Sequence, residues 1–224
     1  MAKKSTPDQI FTAALAVFAR YGLRRTRMED IARELDLATA TLYRYVKDKL
    51  DLYEKTVAFG IRRWQAKVFE AVSAETDVTR QFVTMARKGY EYLAGDEDLR
   101  RILINDPAIF PLSPRKVRFP DIDKASIALI RQILQHGIDT GVFRPVDVAL
   151  VSDLLYSVYV MFIIKAYIKS EEDSDRRMFE EGLDLIVRGL LASAPKGGSR
   201  PPSDRQSNRR PPQGRSASPS ETEP

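Results

Sequence analysis

The chain contains no cysteine and a single histidine, His136. The first absence excludes disulfides, thiolate nucleophiles and cysteine metal sites, and it suits a cytoplasmic protein. With one imidazole and no thiolate, no transition-metal site is expected. His136 reads as a surface helix residue, and the acids Glu91, Asp96, Glu97 and Asp98 read as a solvated helix end. Long apolar runs are missing too. The longest, Val158–Ile164, has seven residues, far short of a membrane span. The opening MAKKSTPDQ has no apolar stretch, so no signal peptide is expected. No convincing alternating pattern proposes a strand. There are no paired carboxylates at acid–base spacing, no glycine-rich phosphate loop, no nucleophile elbow and no histidine-based triad. Neither catalysis nor a cofactor is expected.

What remains is helix. The chain has 224 residues, 43% of them hydrophobic, enough for a sizeable core. From Gly197 onward the composition turns to Pro, Ser, Arg and Gly with almost no apolar side chain. Residues 193–224 are therefore expected to be a disordered basic tail, either inert or brushing DNA through its arginines. Residues 1–55 carry eleven Lys or Arg against eight Asp or Glu, whereas residues 56–192 are nearly neutral. A basic N-terminal unit suits a polyanion partner, although a net charge this small is also that of an ordinary surface.

Capping signals divide the chain. Thr6, Pro7 and Gln9 form a capping box with proline at the first helical position. Ile10, Ala14, Val17, Phe18 and Tyr21 then recur at helical spacing until Gly22. A second box is expected at Thr26 and Glu29, opening a helix that buries Met28, Ile31, Ala32 and Leu35. A turn at Asp36–Ala38 leads to a third helix, roughly Thr39–Val46. Asp48 caps a long fourth helix bearing Leu52, Val57, Ile61, Trp64, Val68 and Val72. Further helices are expected at about Val78–Leu93, Gly95–Asn105, Ile122–Thr140, Val148–Lys169 and Ser174–Ala192. The proline-rich Asp106–Pro120 lies between them. The fold class is thus all-α: an N-terminal three-helix unit (residues 1–53) and a larger helical one (residues 54–192).

Thr26–Lys49 has the layout of a helix-turn-helix DNA reader. Ile31, Ala32 and Leu35 brace one side of the turn, Leu37 and Leu42 the other. Thr39, Thr41, Tyr43, Arg44 and Tyr45 are left outward, with Lys47 and Lys49 just beyond. Hydroxyls, aromatics and cations are the groups that reach phosphates and base edges. A generic trihelical bundle would show the same periodicity. The run Ile10–Tyr53 adds a composite pattern: Phe18–Ala19–Arg20–Tyr21–Gly22, then Thr26, then Ile31–Ala32, then Thr41–Leu42–Tyr43–Arg44–Tyr45–Val46–Lys47–Asp48–Lys49. It closely resembles the DNA-binding domain of the TetR family of bacterial transcriptional regulators. Leu35–Asp36 stands where the family commonly has Ala-Gly, and Ala38 where it often has Ser. These departures blur where the third helix starts.

The resemblance implies roles. Thr26 and Lys49 would hold backbone phosphates, with Arg27 and Lys47 beside them. Thr39, Ala40 and Tyr45 would face base edges. Thr41 and Tyr43 lie at the border, Tyr43 toward phosphate, and Arg44 toward either. It also implies a homodimer formed by the last two helices, for which Leu155, Tyr159, Phe162 and Ile163 on the first and Phe179, Leu183, Ile186 and Leu190 on the second are the candidates. An effector pocket would lie in the second unit. Trp64, Phe82, Met85, Tyr90, Ile104, Phe110, Ile133, Tyr156 and Met161 are its candidate lining, suited to a small apolar or amphipathic effector, though any helical core contains such residues. The expected function is a ligand-responsive dimeric repressor on a partly palindromic operator. An activator, a ligand-independent regulator and a non-DNA-binding helical interaction protein are the alternatives.

Overall fold

A computed structural model describes residues 6–106, 109, 118–168 and 172–192, with side chains 164–175 excepted. Among these residues are nine α-helices: α1 (Pro7–Arg25), α2 (Met28–Glu34), α3 (Thr39–Leu42), α4 (Lys49–Ser73), α5 (Val78–Gly95), α6 (Glu97–Asn105), α7 (Pro120–Asp139), α8 (Val148–Ile168) and α9 (Glu172–Leu190). The all-α expectation holds. The tail, Lys3, Lys4 and Phe110 lie outside the described residues.

The local rules explain most boundaries. The Thr6 hydroxyl accepts from the Gln9 amide while the Thr6 amide donates to Gln9 Oε1. Gly22 does not stop α1 but kinks it, with φ 72° in the left-handed region where a side chain would be strained. Thr26 does not cap α2. Its hydroxyl turns back and donates to Gly22 O at 2.8 Å, so the cap moves one residue on, and the Arg27 amide donates to Asp30 Oδ2 at 3.0 Å. Asp48 caps α4 by accepting from the Asp51 amide at 2.8 Å. Asp147 accepts from the Leu150 amide at the start of α8. Gly141, φ 73°, turns the chain just after α7.

One apolar core runs from Ile10 in α1 to Leu190 in α9. α1 lies along α4 and against α6, so the reader shares buried side chains with the rest of the chain. Phe18 in α1 meets Tyr53 in α4 edge-on, ring centroids 5.1 Å apart. α4 then pairs with α5, α7 with α8, and α9 with α5 and α8. The connection after α7 is pinned to the end of α9. The Arg144 amide donates to Leu190 O at 2.8 Å and the Ala192 amide to Val142 O at 2.9 Å. Within this closure the Phe143 ring presses on the α7 backbone, and a Cβ on Gly137 would stand 2.0 Å from Phe143 Cδ2.

α8 is apolar on nearly every side, so its pattern alone does not tell an inner face from an outer one. The structure resolves the faces differently from the sequence expectation. Leu155, Ile163, Phe179, Leu183 and Leu190 are buried within the single chain. Tyr159, Phe162 and Ile186 pack half-buried against the same core. These side chains point into their own subunit and do not form an outer face. The outward apolar residues are Leu150 (69% exposed), Leu154 (60%) and Met161 on α8, and Met178 and Leu185 (70%) on α9. No helix among the described residues is long and apolar enough to cross a membrane.

Thr56, in α4, is fully buried, and its hydroxyl has no hydrogen-bond partner among the described residues. A buried hydroxyl without a partner costs desolvation energy that a methyl of similar shape does not. Thr56→Val is expected to raise stability by about 1 kcal/mol, read as a higher urea midpoint with unchanged slope.

Candidate nucleic-acid interface and effector cavity

The turn between α2 and α3 needs a left-handed residue, and Asp36 supplies it at φ 54°. A short polar side chain visits that region more readily than most. The bend lets the Leu37 amide donate to Ala32 O at 2.9 Å. α3 then begins at Thr39 with Ala38 at its cap position and no side-chain cap. It is shorter than expected: after Leu42 the chain continues as a turn, closed by Tyr45 N–H to Leu42 O at 2.9 Å. Leu42 and Val46 are buried beneath it.

The outer surface of this unit brings together most of the candidate DNA contacts. Arg27, Ala40, Tyr43, Arg44 and Lys47 are exposed, and Thr39, Thr41, Tyr45 and Lys49 are partly exposed. Two candidates are placed otherwise than expected. Thr26 is 1% exposed with its hydroxyl on Gly22 O, so its side chain joins α1 to α2 and is not a phosphate donor. Lys49 reaches back across the unit. Its Nζ donates to Thr26 O at 3.0 Å and Arg24 O at 3.3 Å, a cation on the carbonyls that end α1. Tyr45 packs partly on the core, and its carbonyl accepts from Lys55 Nζ. Lys55 also pairs with Asp51 at 2.9 Å. That bond, aided by the Lys47 amide, holds the Asp51 carboxyl below the usual carboxylate range.

A cluster that the sequence pattern did not announce lies behind the reader. Tyr53 donates its hydroxyl to Asp106 Oδ2 at 2.9 Å. Arg118 Nη1 donates to the same oxygen at 2.8 Å and its guanidinium lies over the Tyr53 ring. Burial, with Asp106 beside it, pushes the Tyr53 hydroxyl well above the ordinary tyrosine range, so it remains a donor. Asp106 ends α6 and Arg118 precedes α7, so the pair ties both flanks of the proline-rich segment to the first turns of α4. The only hint in sequence was a buried-type tyrosine at the start of a long helix.

A cavity lies among α4, α5, α7, α8 and α9. It is lined by Trp64, Gln65, Val68 and Phe69 of α4 and by Phe82, Met85 and Ala86 of α5. Ser126, Leu129, Ile130, Tyr156, Val158, Tyr159, Phe162, Phe179, Leu183 and Ile186 complete it. The space between them, mouth included, is ≈ 800 Å3. Of the expected lining, Trp64, Phe82, Met85 and Tyr156 are present. Ile133 is buried elsewhere in the core, and Ile104 and Met161 are exposed. Tyr90 lies in a neighbouring groove with Arg87, Arg176 and Glu180. Four side chains expected at a dimer interface on the basis of the resemblance, Tyr159, Phe162, Phe179 and Leu183, line the cavity, and a fifth such candidate, Ile186, joins them. Gln65 was not anticipated; it follows Trp64 on α4, and its Nε2 donates to Ile122 O and Ser126 Oγ. Among the described residues no three His, Cys, Asp or Glu side chains come together to hold a metal, and His136 is exposed.

The described residues thus combine a helix-turn-helix over α2 and α3 with a cavity among the later helices, and the long α4 runs between them. Residues 10–56 match the family model for bacterial regulatory proteins of the tetR family. Over 188 residues the chain is 23% identical to a fatty acid metabolism regulator protein of Bacillus subtilis, covering 81% of this chain and 94% of that one. Its fold is similar to a TetR-family transcriptional regulator from Pectobacterium atrosepticum, with TM-score 0.68 and 20% identity over 85% of this chain and 99% of the other. It is similar also to the transcriptional regulator FadR of Bacillus subtilis in complex with stearoyl-CoA, with TM-score 0.65 and 20% identity over 81% and 98%. Residues 10–56 thus match the tetR-type helix-turn-helix, and the chain as a whole shares the all-α fold of these solved structures.

Proposed function

We propose that the chain is a ligand-responsive dimeric transcriptional repressor that binds a partly palindromic operator. The observation that carries this is the double role of α4. Its first turns are tied to the reader through Lys49 and Tyr53, and farther along it supplies Trp64, Gln65, Val68 and Phe69 to the cavity wall. A ligand that displaces α4 therefore acts on the reader without touching DNA. The exposed stripe Leu150, Leu154 and Met161 on α8, with Met178 and Leu185 on α9, supports a second copy as the covering partner. Apolar side chains this exposed, recurring at helical spacing on each helix, suit an interaction face, and two readers spaced by about one DNA turn fit a two-fold operator. The effector in this reading is small and apolar or amphipathic, in keeping with the cavity lining. The B. subtilis relative's structure with stearoyl-CoA lends support to a hydrocarbon-bearing ligand in this fold.

Fluorescence anisotropy with operator and scrambled duplexes tests the reader. Tyr43→Ala is expected to weaken both by about tenfold, because a phosphate contact carries no sequence information. Thr39→Ala is expected to lower the operator-to-scrambled ratio by roughly fivefold while leaving the scrambled affinity in place. Unchanged affinities in both variants would remove the assignment of this face to DNA.

A further inference from the structure

We infer that the cavity takes an uncharged, predominantly hydrocarbon ligand with at most a hydroxyl or carbonyl, and excludes carboxylates, phosphates and ammonium groups from its interior. This names the chemical class for the ligand-responsive reading above and rests on it.

Among the described residues the lining contains no Asp, Glu, Lys, Arg or His. Three of its polar side chains, Trp64, Gln65 and Tyr156, have their protons committed to the protein. The Trp64 indole N–H donates to Gly89 O at 2.8 Å in a buried bond. Gln65 Nε2 gives one proton to Ile122 O at 2.8 Å and the other to Ser126 Oγ at 2.7 Å. The Tyr156 hydroxyl donates to Asp123 Oδ1 at 2.6 Å. Burial and that carboxylate push Tyr156 far above the ordinary tyrosine range, so it stays neutral. An anion entering here would lose its water and meet neither a cation nor an uncommitted donor among these groups, which is the costly way to bury a charge.

A cation fares no better. Aromatic rings can hold a quaternary ammonium when their faces converge on it, but Phe82, Phe162 and Phe179 of this lining are engaged with other rings. Phe162 meets Phe179 edge-on at 5.6 Å, Tyr90 stacks on Phe179 at 5.2 Å, and Phe82 meets Phe143 edge-on at 6.4 Å. The Asp123 carboxylate lies behind Tyr156, turned to its hydroxyl, and across Phe179 an adjoining groove is lined by Arg87, Arg176, Glu91 and Glu180. Arg87 is already held by Glu180 at 2.7 Å. A polar edge for a ligand atom, among the described residues, is the Gln65–Ser126–Tyr156 border between α4, α7 and α8.

The test uses the full chain and N-phenyl-1-naphthylamine, an uncharged dye that brightens in apolar cavities. It is displaced in turn by decan-1-ol, decanoate, decyltrimethylammonium and decanoyl-CoA, so that chain length is held constant. Decan-1-ol is expected to displace the dye at concentrations at least about 100-fold below the three ions, and to lower operator affinity in the same range. Displacement by any ion as effective as the alcohol would overturn the charge argument and leave the ligand-responsive reading standing. Failure of both dye and alcohol to bind a chain that still binds operator would overturn both. Leu129→Lys sets an ammonium in the wall and is expected to reverse the order, with decanoate at least about tenfold better than decan-1-ol. Leu129→Phe, which adds bulk without charge, is expected to weaken dye binding about tenfold at unchanged helical circular dichroism. Dye binding unaltered in both variants would place the dye elsewhere and overturn the inference.

Discussion

Leu154→Asp combined with Leu185→Asp is expected to yield a folded monomer whose operator affinity is lower by about 100-fold. Both side chains are largely exposed, at 60% and 70%, so a carboxylate at either position meets water in the single chain and should disturb its core little. Against a second copy the same groups would face each other across a two-fold axis, where each residue acts twice, and desolvated like charges are strongly unfavourable. Each half-site would then bind alone, without the gain in effective concentration that a linked reader supplies. Light scattering after size exclusion gives the mass, and anisotropy on full and half operators gives the affinity. The half-operator value is expected to stay near that of the parent. Leu155→Asp is the contrast: Leu155 is buried in its own subunit, so that change should unfold the chain. A double variant that remains a dimer would move the interface to another face.

The second large effect concerns stability. Gly137→Ala is expected to destabilise the chain by about 2–3 kcal/mol, although alanine normally improves a helix interior by close to 1 kcal/mol. The sign reverses because the Phe143 ring occupies the space. A Cβ would meet its Cδ2, Cε2 and Cγ at 2.0, 2.5 and 2.6 Å. The ring cannot swing aside easily: Phe143 is 2% exposed, and its amide is bonded to Gly137 O at 2.9 Å. Gly95→Ala, at a position with no neighbour within 4 Å, is expected to be neutral or to stabilise by a few tenths of a kcal/mol. Parallel urea titrations separate the two, and equal midpoints would contradict the clash.

These cases mark what the sequence could and could not express. Local rules were legible: Thr6 with Gln9, Asp48, Asp147 and Gly141 all act where their chemistry places them. Thr26 misled because threonine is a good cap, and only the Gly22 kink reveals a competing carbonyl for its hydroxyl. Asp30, three residues after Arg27, was the available signal for the true cap. The direction of α8 was not legible, since a helix apolar all round carries no periodicity to orient it. Leu155, Tyr159, Phe162 and Ile163 were therefore expected outside and are found inside. The cavity was half legible. Trp64, Phe82, Met85 and Tyr156 line it, but a large apolar residue at helical spacing looks alike whether it meets a void or a neighbour. The Arg118–Asp106–Tyr53 cluster joins positions far apart in the chain, so no local pattern encodes it.

The clip of Lys49 onto the carbonyls of Arg24 and Thr26 has a mechanical consequence. It fastens the end of α1 to the start of α4, so that in the proposed mechanism a tilt of α4 would carry the helix-turn-helix with it. With 25 residues, α4 is an arm about 37 Å long. A tilt of roughly 5° about its far end sweeps the head by about 3 Å, close to the roughly 3.4 Å rise of one base step. If the proposed mechanism holds, the gearing is steep: a displacement at the cavity wall smaller than a methyl group would become, at the groove, about a whole step out of register.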